Sequence, residues 1–292
     1  MRGRFLWGAL RVLSWLPLPA LHGIGAAAGW LMYVTNSSPC QVARRNLALC
    51  FPAWGEAERE RLLRENLAET GKTATELAAM WLWPAEKVLG LVREAEGEEH
   101  LLALAGRGRG ALVLTPHLGQ WELMGLVAPR YLATTSLYRP LRMPELDEPI
   151  TAARERTGSR LAPATVKGIR QVYAAIRRRE MVGILPDQVP TDGSGEFAPF
   201  FGIEANTMVL VSRLAAGRDI DVVLTYAERL PRGRGYRIVA MPVDDAIHSD
   251  DLRTSLTALN AAVELAVRAS PAQYQWVYKR FKKRPDGDPS LY

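Results

Sequence analysis

The chain has 292 residues, 48% of them hydrophobic and 23% charged, which is the composition of a folded globular protein and argues against disorder; no internal repeat or low-complexity tract interrupts it. Its 37 basic and 31 acidic residues leave a formal charge of +6, so the expected partner carries negative charge: a nucleic acid, an anionic membrane surface, a phosphorylated lipid or an acidic protein. Cys40 and Cys50 are its only cysteines, too few for a disulfide scaffold and without a metal-ligand cluster around them; neither has a catalytic setting.

From Phe5 to Val34 the chain is almost wholly apolar, dotted with Trp7, Trp15, Trp30 and Tyr33 and flanked by Arg2, Arg4 and Arg11 on one side and Arg44 and Arg45 on the other. A spanning helix needs about 20 apolar residues, but Arg11 and the Leu16-Pro-Leu-Pro19 break divide the stretch. The expectation is therefore a membrane-inserted hairpin or an interfacial anchor over residues 1–40, with a single span next and a buried helix of a soluble protein as the bland alternative. Residues 41–292 are expected to form the catalytic domain. Glu56 to Trp81 predicts a helix with Leu62, Leu63, Leu67 and Leu77 as its apolar stripe.

Ala111 to Leu114 predicts a buried strand, ended by Thr115-Pro116, with Gly119 freeing the backbone before a helix from about Gln120. Thr134 to Tyr138 is a second strand, ending at Arg139. Lys167 to Arg179 predicts an amphipathic helix, and Val182 to Leu185 a strand that runs into Pro186-Asp187-Gln188. Ile220 to Ala227 and Tyr236 to Met241 predict two further strands, and 251–269 a last helix. Alternating strands and helices imply an α/β fold: a mostly parallel central sheet with helices on both faces, preceded by the hydrophobic N-terminal segment.

His117, Arg139 and Asp187 each follow a strand, so their tips should meet in one crevice at the sheet's carboxyl edge. His117 and Glu122, five residues apart, suit a dyad in which the carboxylate bonds one ring nitrogen and leaves the other basic; the bland reading is a structural histidine beside a carboxylate that favours a helix start. Arg139 suits a phosphate or an oxyanion, or else a salt bridge to Asp187. Phe197 to Gly202, with Phe200 and Phe201, reads as an apolar loop able to line an acyl chain or to plug a core edge. Lys279 and Arg280 belong to an aromatic and basic tail suited to anionic lipid or an acidic carrier protein.

His117-Leu-Gly-Gln-Trp-Glu122, Tyr138-Arg-Pro140, Gly183-Ile-Leu-Pro-Asp-Gln188, Phe200-Phe-Gly202 and Tyr274-Gln-Trp276 through Arg280-Phe-Lys282 together resemble the late acyltransferases of lipid A biosynthesis, in the lysophospholipid acyltransferase superfamily. Arg44-Arg-Asn-Leu47, Cys50-Phe-Pro52 and Glu96 to Leu101 extend the likeness toward the N-terminus. Two departures stand in the C-terminal motif: Tyr278 where the family usually has His, and Lys279-Arg280 for Arg-Arg. The resemblance implies transfer of a fatty acyl chain from acyl carrier protein, less often coenzyme A, to a hydroxyl of a membrane glycolipid at the cytoplasmic face of the bacterial inner membrane. It implies His117 as base, Glu122 orienting it, Arg139 on acceptor phosphate or oxyanion, Asp187 and Gln188 shaping the site, and Phe200 and Phe201 guiding acyl chains. No metal and no cofactor beyond the donor is expected, and no nucleic acid. The nearest alternatives are a relative acting on another glycolipid or an aminolipid, and a membrane-surface binding protein with a dead site.

Overall fold

The computed structural model describes residues 2–141, 143–191 and 193–292; the side chains of Arg2 and Arg4, counted above as flanking charges, lie outside the described set. In chain order the elements are α1 (Arg2–Leu13), α2 (Leu18–Val34), α3 (Ser38–Cys50), α4 (Glu56–Leu82), α5 (Ala85–Leu89), β1 (Val92–Glu96), α6 (Glu98–Arg107), β2 (Ala111–Leu114), α7 (Trp121–Val127), β3 (Thr134–Tyr138) and α8 (Pro144–Glu155). There follow β4 (Arg160–Pro163), α9 (Val166–Arg177), β5 (Met181–Ile184), β6 (Gly195–Phe200), β7 (Ile203–Met208), α10 (Leu210–Ala215), β8 (Asp221–Arg229), β9 (Tyr236–Pro242) and α11 (Leu252–Ala269).

Seven strands form the main sheet in the order β1-β9-β8-β2-β5-β3-β4. Five of them, from β8 to β4, run parallel; β9 turns back antiparallel on β8 and β1 lies parallel to β9, so the expected mostly parallel sheet carries a reversed edge. Successive residues of β2 and β5 face opposite ways, and the core divides accordingly. Leu112, Leu114, Val182 and Ile184 pack with α3, α9 and α11, whereas Ala111, Val113 and Met181 pack with α4, α6 and α7. Helices thus cover both faces, as alternation of strand and helix predicts.

The N-terminal apolar stretch breaks at the predicted prolines into two helices, of 12 and 17 residues. No helix among the described residues is long and apolar enough to cross a membrane, which removes the spanning reading. Half of α2 is instead a packing surface: Gly25 and Gly29 lie against Gly71 of α4, where a methyl group on Gly71 would meet the Gly25 carbonyl oxygen at 1.9 Å. The other half faces outward. Phe5, Trp15 and Trp30 are 82%, 81% and 65% exposed, with Val12, Leu31 and Val34 beside them.

Phe197 to Gly202, expected as a loop, is β6 and the tip of a two-stranded hairpin with β7. Phe200 and Phe201 are buried in an aromatic cluster with Phe51, Tyr274, Trp276 and Phe281, so of the two readings it is the core plug that the structure contains. Gly-Pro spacing hid the strand, because Pro199 removes an amide from the alternation that marks one.

Candidate active site

β2 ends at Leu114; the next amide, of Thr115, bonds the Ile184 carbonyl at 2.9 Å, and Pro116 then turns the chain out of the sheet. The turn 117–120 is held from three sides. The Gln275 amide donates to the His117 carbonyl at 3.0 Å, the Gly119 amide to the Gln273 carbonyl at 3.1 Å, and the Gln120 amide to the Ala227 carbonyl at 2.8 Å. Gly119 has φ +62°, and a Cβ there would lie 2.0 Å from the Ala227 oxygen, so both conformation and space demand glycine. From α4, Asn66 donates to the Ala272 and Tyr274 carbonyls at 2.9 and 2.6 Å, which steadies the segment that steadies the turn.

His117 leaves this turn partly buried, and the carboxylate that orients it is Asp187. The Asp187 Oδ1 lies 2.8 Å from His117 Nδ1, and Oδ2 accepts from the His117 backbone amide at 2.9 Å. Burial by itself raises the Asp187 pKa, but the His117 charge and these hydrogen bonds outweigh it and hold the acid below its ordinary range. Nδ1 therefore carries the proton. At the other nitrogen, the Gln188 amide stands 3.2 Å from Nε2 and donates to Gln275 Oε1 at 2.9 Å. Trp121 packs edge-on against the imidazole, with ring centroids 4.9 Å apart.

This corrects the expected dyad. Glu122 lies in the first turn of α7 and reaches toward α8 and α4: Arg154 donates to it through Nε and an Nη at 2.9 and 2.5 Å, and the Trp81 indole N–H at 3.0 Å. Desolvation pushes the Glu122 pKa up, but Arg154 and Trp81 more than offset that, so it stays ionised. A helix start cannot turn its side chain back on the residue five before it when an arginine faces it at bonding distance. Nor do Arg139 and Asp187 pair: Arg139 is exposed and has no ion-pair partner among the described residues.

His117, Glu122, Arg139, Arg154 and Gln188 all line one cavity of about 960 Å³. It opens at the carboxyl ends of β2, β3 and β5 and runs down one face of the sheet over Val113, Gly183 and Ser136. Gly183 lowers its floor; a side chain there would meet the Ser136 hydroxyl at 2.9 Å. Among the expected substrate-binding residues, Phe200, Phe201, Lys279 and Arg280 do not line it. Arg280 is buried, donating to the Asn206 carbonyl at 2.6 Å and Thr207 Oγ1 at 2.8 Å, and burial pulls its pKa down; it ties the C-terminal segment to β7. Lys279 is exposed over the Tyr292 ring. Tyr278, where the resemblance led to a histidine, braces the chain after Gln188: its hydroxyl oxygen accepts from the Val189 amide at 3.0 Å.

The residues to which sequence reasoning gave no role are Arg154, Trp81 and Gln275. Gln275 lay inside the Tyr274-Gln-Trp276 motif, and Arg154 carried a signal of its own: Leu146, Ile150 and Ala153 form the buried stripe of an unassigned helix, and Arg154 sits one turn past Ile150 on its flank. Cys40 and Cys50 are both buried, and desolvation drives the Cys50 thiol pKa up, away from reactivity.

The family described as bacterial lipid A biosynthesis acyltransferase matches residues 4–283. The lipid A biosynthesis lauroyltransferase of Escherichia coli K12 is 29% identical over 286 residues, covering 98% of this chain and 92% of that one. A lipid A biosynthesis acyltransferase of Haemophilus influenzae is 32% identical over 295 residues, 97% of this chain and 91% of that one. The lipid A biosynthesis myristoyltransferase of E. coli K12 is 28% identical over 278 residues, 94% and 83%.

Proposed function

The chain belongs to the bacterial lipid A biosynthesis acyltransferase family, and from that premise we propose that it moves a fatty acyl group from acyl-acyl carrier protein to a hydroxyl of a lipid A precursor, with His117 as general base. The observation that carries the mechanism is the imidazole at the cavity wall with its Nδ1 proton held by buried Asp187. That bond leaves a lone pair on Nε2. An acceptor hydroxyl replaces the Gln188 amide at Nε2, gives up its proton there, and its oxygen attacks the thioester carbonyl. Asp187 stabilises the imidazolium formed, and the ionised Glu122 adds a second negative charge at the same wall. Collapse of the tetrahedral adduct breaks the C–S bond, and the departing thiolate takes the proton from Nε2, leaving an ester and a free thiol. Arg139 serves acceptor phosphate or the developing oxyanion. No cofactor beyond the acyl donor enters.

The proposal places the enzyme at the cytoplasmic face of the inner membrane, attached through the interface rather than by a span. Its support is the outward face of α1 and α2, where exposed tryptophans and aliphatic residues form the kind of surface that settles among headgroups.

The test is acyl transfer by the purified, detergent-solubilised protein, wild type beside His117→Ala, from a panel of acyl-acyl carrier proteins to tetraacylated lipid A precursor bearing its inner-core sugars. Loss of about 10²- to 10⁴-fold in the variant is expected. Equal rates would remove His117 as base. Transfer only from acyl-coenzyme A, or only to another glycolipid or aminolipid, would replace the donor or the acceptor named here.

A further inference from the structure

The charged groups of the cavity do not balance. Glu122 is matched by Arg154, and His117 has Asp187 behind it. Three guanidinium groups remain, those of Arg139, Arg170 and Arg213, all exposed, all lining the cavity, and none with a side-chain partner among the described residues. Several exposed arginines elsewhere are answered by carboxylates from their own fold: Arg44 by Glu60, Arg109 by Asp219 and Asp221, Arg237 by Glu228, Arg253 by Glu204. Arg170 stands with Ile169 and Tyr173 on the side of α9 that fronts the cavity, and Arg213 lies one turn beyond Leu210 on the cavity side of α10. The Arg218 guanidinium, just past the end of α10, lies 5.5 Å from the ring centre of Tyr173 on α9.

Like charges lining one cavity repel each other, and the planar five-donor fork of arginine fits phosphate in a way a point charge does not. Val166, 73% exposed, lines the same cavity one turn before Arg170 and adds an apolar edge. We infer that Arg170 and Arg213, together with Arg139, form a subsite for the phosphate group of an amphiphilic substrate whose acyl portion enters the cavity. The inference deepens the reading given above and rests on it for its choice of substrates. Two sources supply the chemistry: a phosphate on the acceptor's sugar headgroup, or the phosphate of the carrier protein's prosthetic arm.

The test compares wild type with the double variant Arg170→Gln/Arg213→Gln and the charge-keeping double variant Arg170→Lys/Arg213→Lys. Calorimetric binding of dodecyl phosphate, with dodecyl maltoside as the uncharged control, needs no catalysis. Binding of dodecyl phosphate is expected to weaken at least tenfold in the glutamine variant and to recover in part with lysine, with dodecyl maltoside unchanged. Thermal midpoints of all three should agree, because both side chains are exposed. In the transfer assay, a KM that rises about tenfold for the phosphorylated acceptor but not for its phosphatase-treated form assigns the subsite to the headgroup. A KM that rises for acyl-acyl carrier protein but not for acyl-N-acetylcysteamine assigns it to the donor arm. Equal affinity of wild type and glutamine variant for dodecyl phosphate overturns the subsite. If wild type binds dodecyl phosphate through these arginines yet transfers no acyl group to the lipid A precursor, the acceptor reading fails and the subsite stands.

Discussion

Two groups of arginines on this protein contrast sharply. At the junction of α2, α4 and β8, Arg229 is almost wholly buried, and its donors meet both oxygens of Glu76 at 2.5 Å, Glu69 at 2.5 Å and Thr73 at 2.9 Å. Glu76, itself inaccessible, also bonds His22 of α2 and accepts from the Gln120 side chain of the active-site turn at 2.8 Å. Around the cavity Arg139, Arg170 and Arg213 stay exposed, their guanidinium groups without a partner among the described residues. A charge that folding has desolvated must find its counter-charge inside the chain. A charge left at a cavity mouth is free to take its counter-charge from a substrate. The first group is architecture and the second is recognition, and each can be tested as such.

The largest effect is expected where the two regions join, at the base itself. Asp187→Asn presents an amide to Nδ1 and favours the tautomer with its proton on Nε2, so kcat is expected to fall by about 10²- to 10⁴-fold, while the thermal midpoint moves little. A near-normal kcat would remove Asp187 from the mechanism. Arg229→Met removes the guanidinium from its pair with Glu76 and leaves buried Glu76 to His22 and Gln120 alone, and Glu69 to Lys72, at a cost of about 3–5 kcal/mol. Differential scanning calorimetry should register a midpoint lower by roughly 10 °C, and an unchanged midpoint would mean the cluster is not structural.

The same pair sets an acid limb. Burial raises the Glu76 pKa, but Arg229 and His22 overcome this and bring it from 4.5 to about 2. Because the folded value is depressed, the stabilisation is complete above pH 4.5, drains as pH falls toward 2, and amounts to about 3 kcal/mol. Denaturant titrations between pH 5 and pH 2.5 should show that loss in wild type and a flatter profile in Glu76→Gln; parallel profiles would refute the assignment. Smallest in stability is the outward face of the N-terminal helices. Trp15→Ser/Trp30→Ser should change stability by no more than about 0.5 kcal/mol, while co-sedimentation with anionic phospholipid vesicles drops. Undiminished sedimentation would place membrane contact elsewhere.

How legible all this was from sequence varied with how local the cause is. The Leu16-Pro-Leu-Pro19 break between α1 and α2, strand β2, the long α4 and the final α11 follow from proline, branching and apolar periodicity within one segment, and they lie where those signals put them. So does the level of His117, Arg139 and Asp187, because strands of a parallel sheet end together. The short edge strands β1 and β4 and the β6–β7 hairpin escaped notice; four to six residues of mixed polarity make no pattern of their own until a neighbour pairs with them.

Sequence by itself determined the α/β class, the turn that carries His117 and the family to which the chain belongs, since each rests on residues close together in the chain or on motifs in a set order. Only the tertiary structure decided which carboxylate faces the imidazole. His117 and Glu122 are five residues apart, yet Glu122 turns to Arg154, 32 residues further on, and Asp187, 70 residues from His117, takes the ring nitrogen. Separation along the chain says little about a hydrogen bond once strands from different segments end at one edge, because the bond depends on side-chain direction and on which competing partner lies nearer.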